Sequence, residues 1–173
     1  MAAKTSIKRK HTTPTAQDEA FMRRAIELSE RAAIKEMTGG VFGCVIVKDG
    51  KIIGEGYNQV AKTNDPTWHA EMQAIREACK KLGTPHLEGC TMYTSSESCP
   101  MCLAAAYWAH IDRMFFGAKI EDAVKYGNFD DAAIFEAIRK DPEDRDIEAI
   151  PCLREEAVVV WKEFAKMPDR VHY

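Results

Sequence analysis

The sequence predicts an α/β fold in which helices cover both faces of one mixed sheet. Three observations predict it. Two β-rich runs at 41–47 and 51–57 flank an Asp49-Gly50 turn. Further short apolar runs at 90–94 and 113–116 alternate with segments of helical periodicity. The chain has 173 residues, 46% hydrophobic and 29% charged, which suits a single soluble domain with its own core.

The elements follow in order. Residues 1–15 are polar and hold Lys4, Lys8, Arg9 and Lys10 without an acid, so they read as a flexible basic tail outside the fold. The domain is expected over 16–173. Ala20, Phe21, Ala25, Ile26, Leu28, Ala32 and Ala33 recur at helical spacing over 16–37, and Gly39-Gly40 ends that helix. The Asp-Gly between 41–47 and 51–57 is a hairpin signal. Asp65 and Pro66 read as cap and first turn of a helix that runs to about Leu82 and stops at Gly83. Residues 90–94 read as a strand, 100–109 as a helix, and 113–116 as a strand. Helices are expected at 120–126, 131–139 and 153–166, the last with a β-branched run at Val158-Val159-Val160.

Composition excludes several function classes. The longest nearly apolar stretch, 100–109, is far short of the roughly 20 residues a spanning helix needs. The N-terminus lacks a signal peptide's apolar core, so the six cysteines are expected in a reducing cytoplasm. Beyond the tail, 20 Lys and Arg stand against 27 Asp and Glu, a net charge of −7. An acidic body is a poor platform for nucleic acid.

The residues that carry chemistry are His69-Ala70-Glu71 and Cys99-Pro100-Met101-Cys102. One imidazole and two cysteines separated by two residues form a zinc set. Three protein ligands leave a fourth position for water, the mark of a catalytic site. Both segments fall at predicted helix starts, where partial positive charge favours thiolate. Glu71 lies about 200° around an ideal helix from His69 and so is not a fourth ligand. Near a helix end it can still serve as the proton carrier for a water at the open position. Alone, a Cys-x-x-Cys also reads as a redox pair and a His-x-Glu as nothing. Together they match the H-x-E…P-C-x-x-C signature of zinc deaminases, in which the Glu is the acid/base. Ser98 stands where that signature has its first proline.

On these residues the chain resembles the cytidine deaminase superfamily. Within it, the sequence is most similar to the guanine and guanosine deaminase branch. The resemblance spans about 18–173 and rests on Gly40-Val41-Phe42-Gly43, Asn64-Asp65-Pro66-Thr67-Trp68-His69-Ala70-Glu71, Cys99-Pro100-Met101-Cys102-Leu103, Tyr107-Trp108-Ala109, Phe129-Asp130-Asp131 and Tyr173. It implies a three-layer αβα sandwich around a mixed five-stranded sheet. It also implies one Zn²⁺ per subunit and a homodimer whose C-terminal segment is swapped between subunits. The implied reaction is hydrolysis of guanine to xanthine and ammonia. By resemblance, Phe42 stacks on the base, Asn58 bonds its edge and the Ala70 carbonyl orients an exocyclic group. Trp108 walls the pocket, Asp131 recognises ring N–H groups with Asp130 beside it, and Tyr173 closes the site.

The chain departs from the branch at Val41, Trp68, Ser96, Ser98 and Asn128, all near the expected pocket. Cytosine, a nucleoside, an aminotriazine or a pterin therefore stand as alternative substrates. The acidic body disfavours a tRNA adenosine deaminase. The intact His69, Glu71, Cys99 and Cys102 disfavour an inactive scaffold.

Overall fold

The computed structural model describes residues 13–171. Most of the basic tail, and Tyr173, lie outside the described residues. The first helix, α1 (Ala16–Glu30), opens with a capping box. Thr15 Oγ1 accepts from the Asp18 N–H, and the Asp18 carboxylate accepts the Thr15 N–H. The helix continues directly into a π-helical turn, Arg31–Lys35, capped at Glu36 and so within two residues of the expected 16–37.

Strand β1 (Gly43–Lys48) turns through Asp49 and Gly50, at φ 49° and 72°, into β2 (Lys51–Tyr57). Two left-handed residues in a row are what a two-residue hairpin turn requires. Then come a short helix α2 (Val60–Thr63), α3 (Ala70–Leu82), β3 (Thr91–Ser96), α4 (Pro100–Trp108) and β4 (Arg113–Ala118). Helices α5 (Ile120–Gly127), α6 (Ala132–Arg139) and α7 (Arg154–Lys166) close the chain.

The sheet runs β2-β1-β3-β4 and is mixed. Its first two pairings are antiparallel, and β3 with β4 is parallel, with α4 as the crossover. Strand β1 is buried on both faces and shows the layering directly. Val45 and Val47 join Ala25, Leu28 and Tyr93 under α1. Cys44 and Ile46 join Ala70, Ala74, Ala78, Met92 and Ala106 under α3 and α4. Alternate residues of one strand thus feed two cores, which makes the fold a three-layer αβα sandwich.

Two expectations are corrected. The sheet has four strands among the described residues, not five, because everything after β4 that is regular is helical. Even Val158-Val159-Val160 lies inside α7, flanked by the helix formers Glu155, Glu156, Ala157, Lys162 and Glu163. Asp65-Pro66 is a turn and not a helix start. Asp65 Oδ1 accepts from both the Thr67 N–H and hydroxyl, at 2.8 and 2.7 Å, and satisfies the turn locally. Helix α3 begins only after His69.

Candidate metal centre and pocket

Strand directions bring the site together. Gly43 pairs with Tyr57, and Cys44 with Thr94, so the start of β1 and the ends of β2 and β3 share one end of the sheet. Phe42 precedes β1, Asn58 follows β2, and Glu97 to Cys99 follow β3. Helices α3 and α4 start at this same end, with His69 and Cys99 as their cap residues.

Glycines set how closely α3 approaches. A Cβ on Gly56 would lie 2.0 Å from the Ala70 carbonyl oxygen, and one on Gly54 2.3 Å from that of Ala74. The two glycines share one face of β2, and only a bare backbone leaves the helix room to sit there.

His69 Nδ1 lies 3.6 Å from Cys99 Sγ and 3.5 Å from Cys102 Sγ. All three donor atoms lie within 4.8 Å of one another. Zinc bonds of 2.3 Å to sulfur and 2.0–2.1 Å to nitrogen, at a tetrahedral angle, need an N···S separation of about 3.6 Å. The donor set and its spacing therefore fit zinc. The Cys99 thiol is lowered to about 4, chiefly by its hydrogen bond with Cys102 and, against burial, by that with His69. Cys102 is pushed up by its bond to the Cys99 sulfur and by burial. His69 is raised, first by the Cys99 sulfur. A divalent cation would hold both sulfurs as thiolates.

Glu71 lies two residues into the α3 segment, 5% exposed. Burial raises its pKa, opposed by its own backbone N–H and by a hydrogen bond from Ser98. Ser98 Oγ donates to Glu71 Oε1 at 2.9 Å. His69, Glu71 and Cys99 form part of the wall of a cavity of about 550 Å³, which Phe42, Asn58 and Asp131 also line. Asn58 is buried, and its Oδ1 accepts the N–H groups of Gly40 and Val60 at 3.3 and 3.2 Å. That leaves its amide nitrogen as the donor end. Phe42 meets Phe129 edge-on, with ring centroids 5.2 Å apart. Asp130 takes the Ala132 N–H as a local cap, which leaves Asp131 as the carboxylate at the cavity. Burial raises Asp131.

Two expected site residues, Ala70 and Trp108, do not line this cavity. Ala70 is fully buried, with its carbonyl against Gly56 and not on the cavity wall. Trp108 is 65% exposed at the far end of α4, about 13 Å along the helix from Cys99, and does not line the cavity. Tyr173 is outside the described residues. Sequence reasoning missed Phe129 and Glu97 as lining residues and Ser98 as the partner of Glu71. Their adjacency to Asp130-Asp131 and to Cys99 was the available signal. Of the departures, Val41 lines the cavity, whereas Asn128 ends α5 at φ 56°.

Fold and donor set define the class: a zinc-dependent aminohydrolase on a three-layer αβα frame. The family described as the cytidine and deoxycytidylate deaminase zinc-binding region matches residues 15–118, and the chain belongs to it. The chain is 50% identical to guanine deaminase of Bacillus subtilis over 129 residues, 75% of this chain and 81% of that protein. It superposes on the crystal structure of guanine deaminase from Bacillus subtilis with a TM-score of 0.84 and 43% identity, covering 90% of this chain and 98% of that one. It is also 44% identical to a tRNA-specific adenosine deaminase of Aquifex aeolicus over 101 residues, 58% of this chain and 65% of that protein.

Proposed function

We propose that the chain hydrolyses guanine to xanthine and ammonia, with one Zn²⁺ per subunit held by His69, Cys99 and Cys102. The observation that carries this reading is the donor spacing of 3.5 and 3.6 Å beside a buried carboxylate at one cavity. The identity to the guanine deaminase of Bacillus subtilis supports guanine as the base. When bound, zinc supplies hydroxide at neutral pH by lowering the pKa of a water to about 7.

The chain's own groups do the rest. Glu71 takes the proton from the attacking water and delivers it to a ring nitrogen. It then takes the second proton from the hydroxyl added to the ring carbon and gives it to the departing amine, so the same carboxylate acts as base and acid. Its burial, by raising its pKa, favours a group able to hold that proton. The Phe42 ring, held edge-on by Phe129, offers a face for the purine to stack on. The Asn58 amide nitrogen donates to the purine carbonyl edge, and Asp131 accepts ring N–H groups. The cavity's 550 Å³ is ample for a purine.

The working unit is a homodimer. Helices α5, α6 and α7 have no buried residue within one chain. Val160 and Trp161 of α7 are 71% and 70% exposed, and Tyr107 and Trp108 of α4 are similarly open. Apolar surface on that scale calls for a partner. A swapped C-terminal segment, packed on the partner subunit, would cover it. No helix among the described residues is long and apolar enough to cross a membrane. All six cysteines are free of disulfides, which supports a reducing, cytoplasmic setting.

The test is ammonia release from purified protein across guanine, guanosine, adenine, cytosine, an aminopterin and adenosine-containing tRNA. Guanine is expected to be turned over fastest, with xanthine formed in equal amount. Turnover of another ring with guanine inert would overturn the substrate and leave the chemistry standing.

A further inference from the structure

Ser98 occupies the position before the first cysteine where the zinc-deaminase signature carries proline, which has no hydrogen-bonding side chain. Here the position holds a hydroxyl, 7% exposed. The hydroxyl donates to Glu71 Oε1 at 2.9 Å, across 27 residues of sequence and between the starts of α3 and α4. A carboxylate as buried as Glu71 needs donors. Its other hydrogen-bonding neighbours are its own backbone N–H and the Cys102 sulfur, while His69, Cys99 and Cys44 act on it only through charge. Once Cys102 ligates a metal as thiolate it carries no proton to give. Ser98 is then the side-chain donor that fixes the carboxylate.

We infer that Ser98 is a positioning residue: its hydroxyl holds Glu71 by Oε1 and leaves Oε2 as the oxygen that takes and releases the transferred proton. In each turnover the water's first proton resides on Oε2 and passes to the ring nitrogen, and the second leaves the added hydroxyl by the same oxygen and departs on the amine. Ser98 keeps its own proton throughout. A shared proton path needs the carboxylate in one rotamer, because an oxygen displaced by about 1 Å no longer reaches both partners. Asp131, Asn58 and Phe42 bind the base from other elements, so loss of the Ser98 hydroxyl acts on the chemical step and not on binding. This inference rests on Glu71 being the proton carrier.

The experiment compares Ser98→Ala, Ser98→Thr and Glu71→Gln with the parent, all zinc-loaded. Kinetics on guanine, zinc per chain and a crystal structure of Ser98→Ala are measured. Ser98→Ala is expected to lose about tenfold in kcat, from one hydrogen bond to a charged group, with KM within about twofold of the parent. Zinc per chain is expected to stay the same, and the Glu71 carboxylate is expected to leave its parent rotamer. Ser98→Thr, which keeps the hydroxyl, is expected to recover kcat to within about threefold. A Ser98→Ala enzyme with parental kcat overturns the inference. So does one that has lost its zinc or its fold, since the residue would then serve the metal loop. Equal losses in Ala and Thr variants would also overturn it, by pointing to packing. If Glu71→Gln keeps parental kcat, the reading of Glu71 itself falls. If Glu71→Gln collapses while Ser98→Ala is unaffected, only the role of Ser98 does.

Discussion

Gly56→Ala tests whether strand β2 sets the height of the metal site. The new Cβ would stand 2.0 Å from the Ala70 carbonyl oxygen and 2.9 Å from both the Ala70 carbonyl carbon and the Ala74 nitrogen. These are backbone atoms and cannot rotate away. Ordinary contact begins at 3.4 Å, so the first turn of α3 must retreat by the difference, 1.4 Å. His69 caps that turn, while Cys99 and Cys102 sit on α4 and do not move with it. Coordination tolerates about 0.2 Å, several times less than the shift. Overpacking of this kind costs about 1–3 kcal/mol. The assay is zinc per chain after dialysis, paired with urea unfolding. The expected outcome is a destabilised protein with zinc well below one per chain. Gly54→Ala, whose Cβ would meet Ala74 at 2.3 Å, is the internal comparison. It is expected to cost similar stability and keep more zinc, because its clash lies a turn beyond His69. A Gly56→Ala protein with one tightly held zinc and parental stability would refute the reasoning.

Other expectations are as direct. Tyr93 donates to Asp18 at 2.6 Å and holds its carboxyl below the usual range, helped by Thr15. A carboxylate depressed on folding adds stability above its unfolded pKa of about 3.9 and loses it as pH falls through the folded value. Tyr93→Phe is therefore expected to cost about 1–2 kcal/mol at pH 7, and less in acid below pH 4, as read by thermal unfolding across pH. A constant loss at every pH would contradict the assignment. Asp131→Asn is expected to raise KM for guanine about tenfold or more while zinc stays bound, so an unchanged KM would remove Asp131 from base recognition. Deleting residues 152–173 is expected to abolish both dimer and activity, and a fully active monomer in sedimentation would refute the swapped segment.

Much of the frame was legible because local rules and tertiary packing agree there. The Asp49-Gly50 hairpin and the alternating apolar residues of β1 needed no long-range information. The metal site was legible because cysteines two residues apart and a His-x-Glu are rare enough together to be read as one set. Less legible were contacts between distant segments. Asp65-Pro66 looks like a helix start from either residue alone, yet the carboxylate spends both acceptor contacts on Thr67 and closes a turn instead. Trp108, which the resemblance makes a pocket wall, stands exposed at the end of α4 within one chain, nine residues of helix from Cys99. Ser98 shows only as a missing proline until folding brings Glu71 to it. Apolar faces on α5 to α7 predicted helices correctly, although what they pack against is not encoded in their own periodicity.

The most direct test compares zinc content and ammonia release from guanine in the parent and in Glu71→Gln, on the same preparations. The expected result is one zinc per chain in both, with turnover in the variant lower by about a thousandfold. Parental turnover by the Gln variant, or full turnover by a parent stripped of metal, would contradict the account.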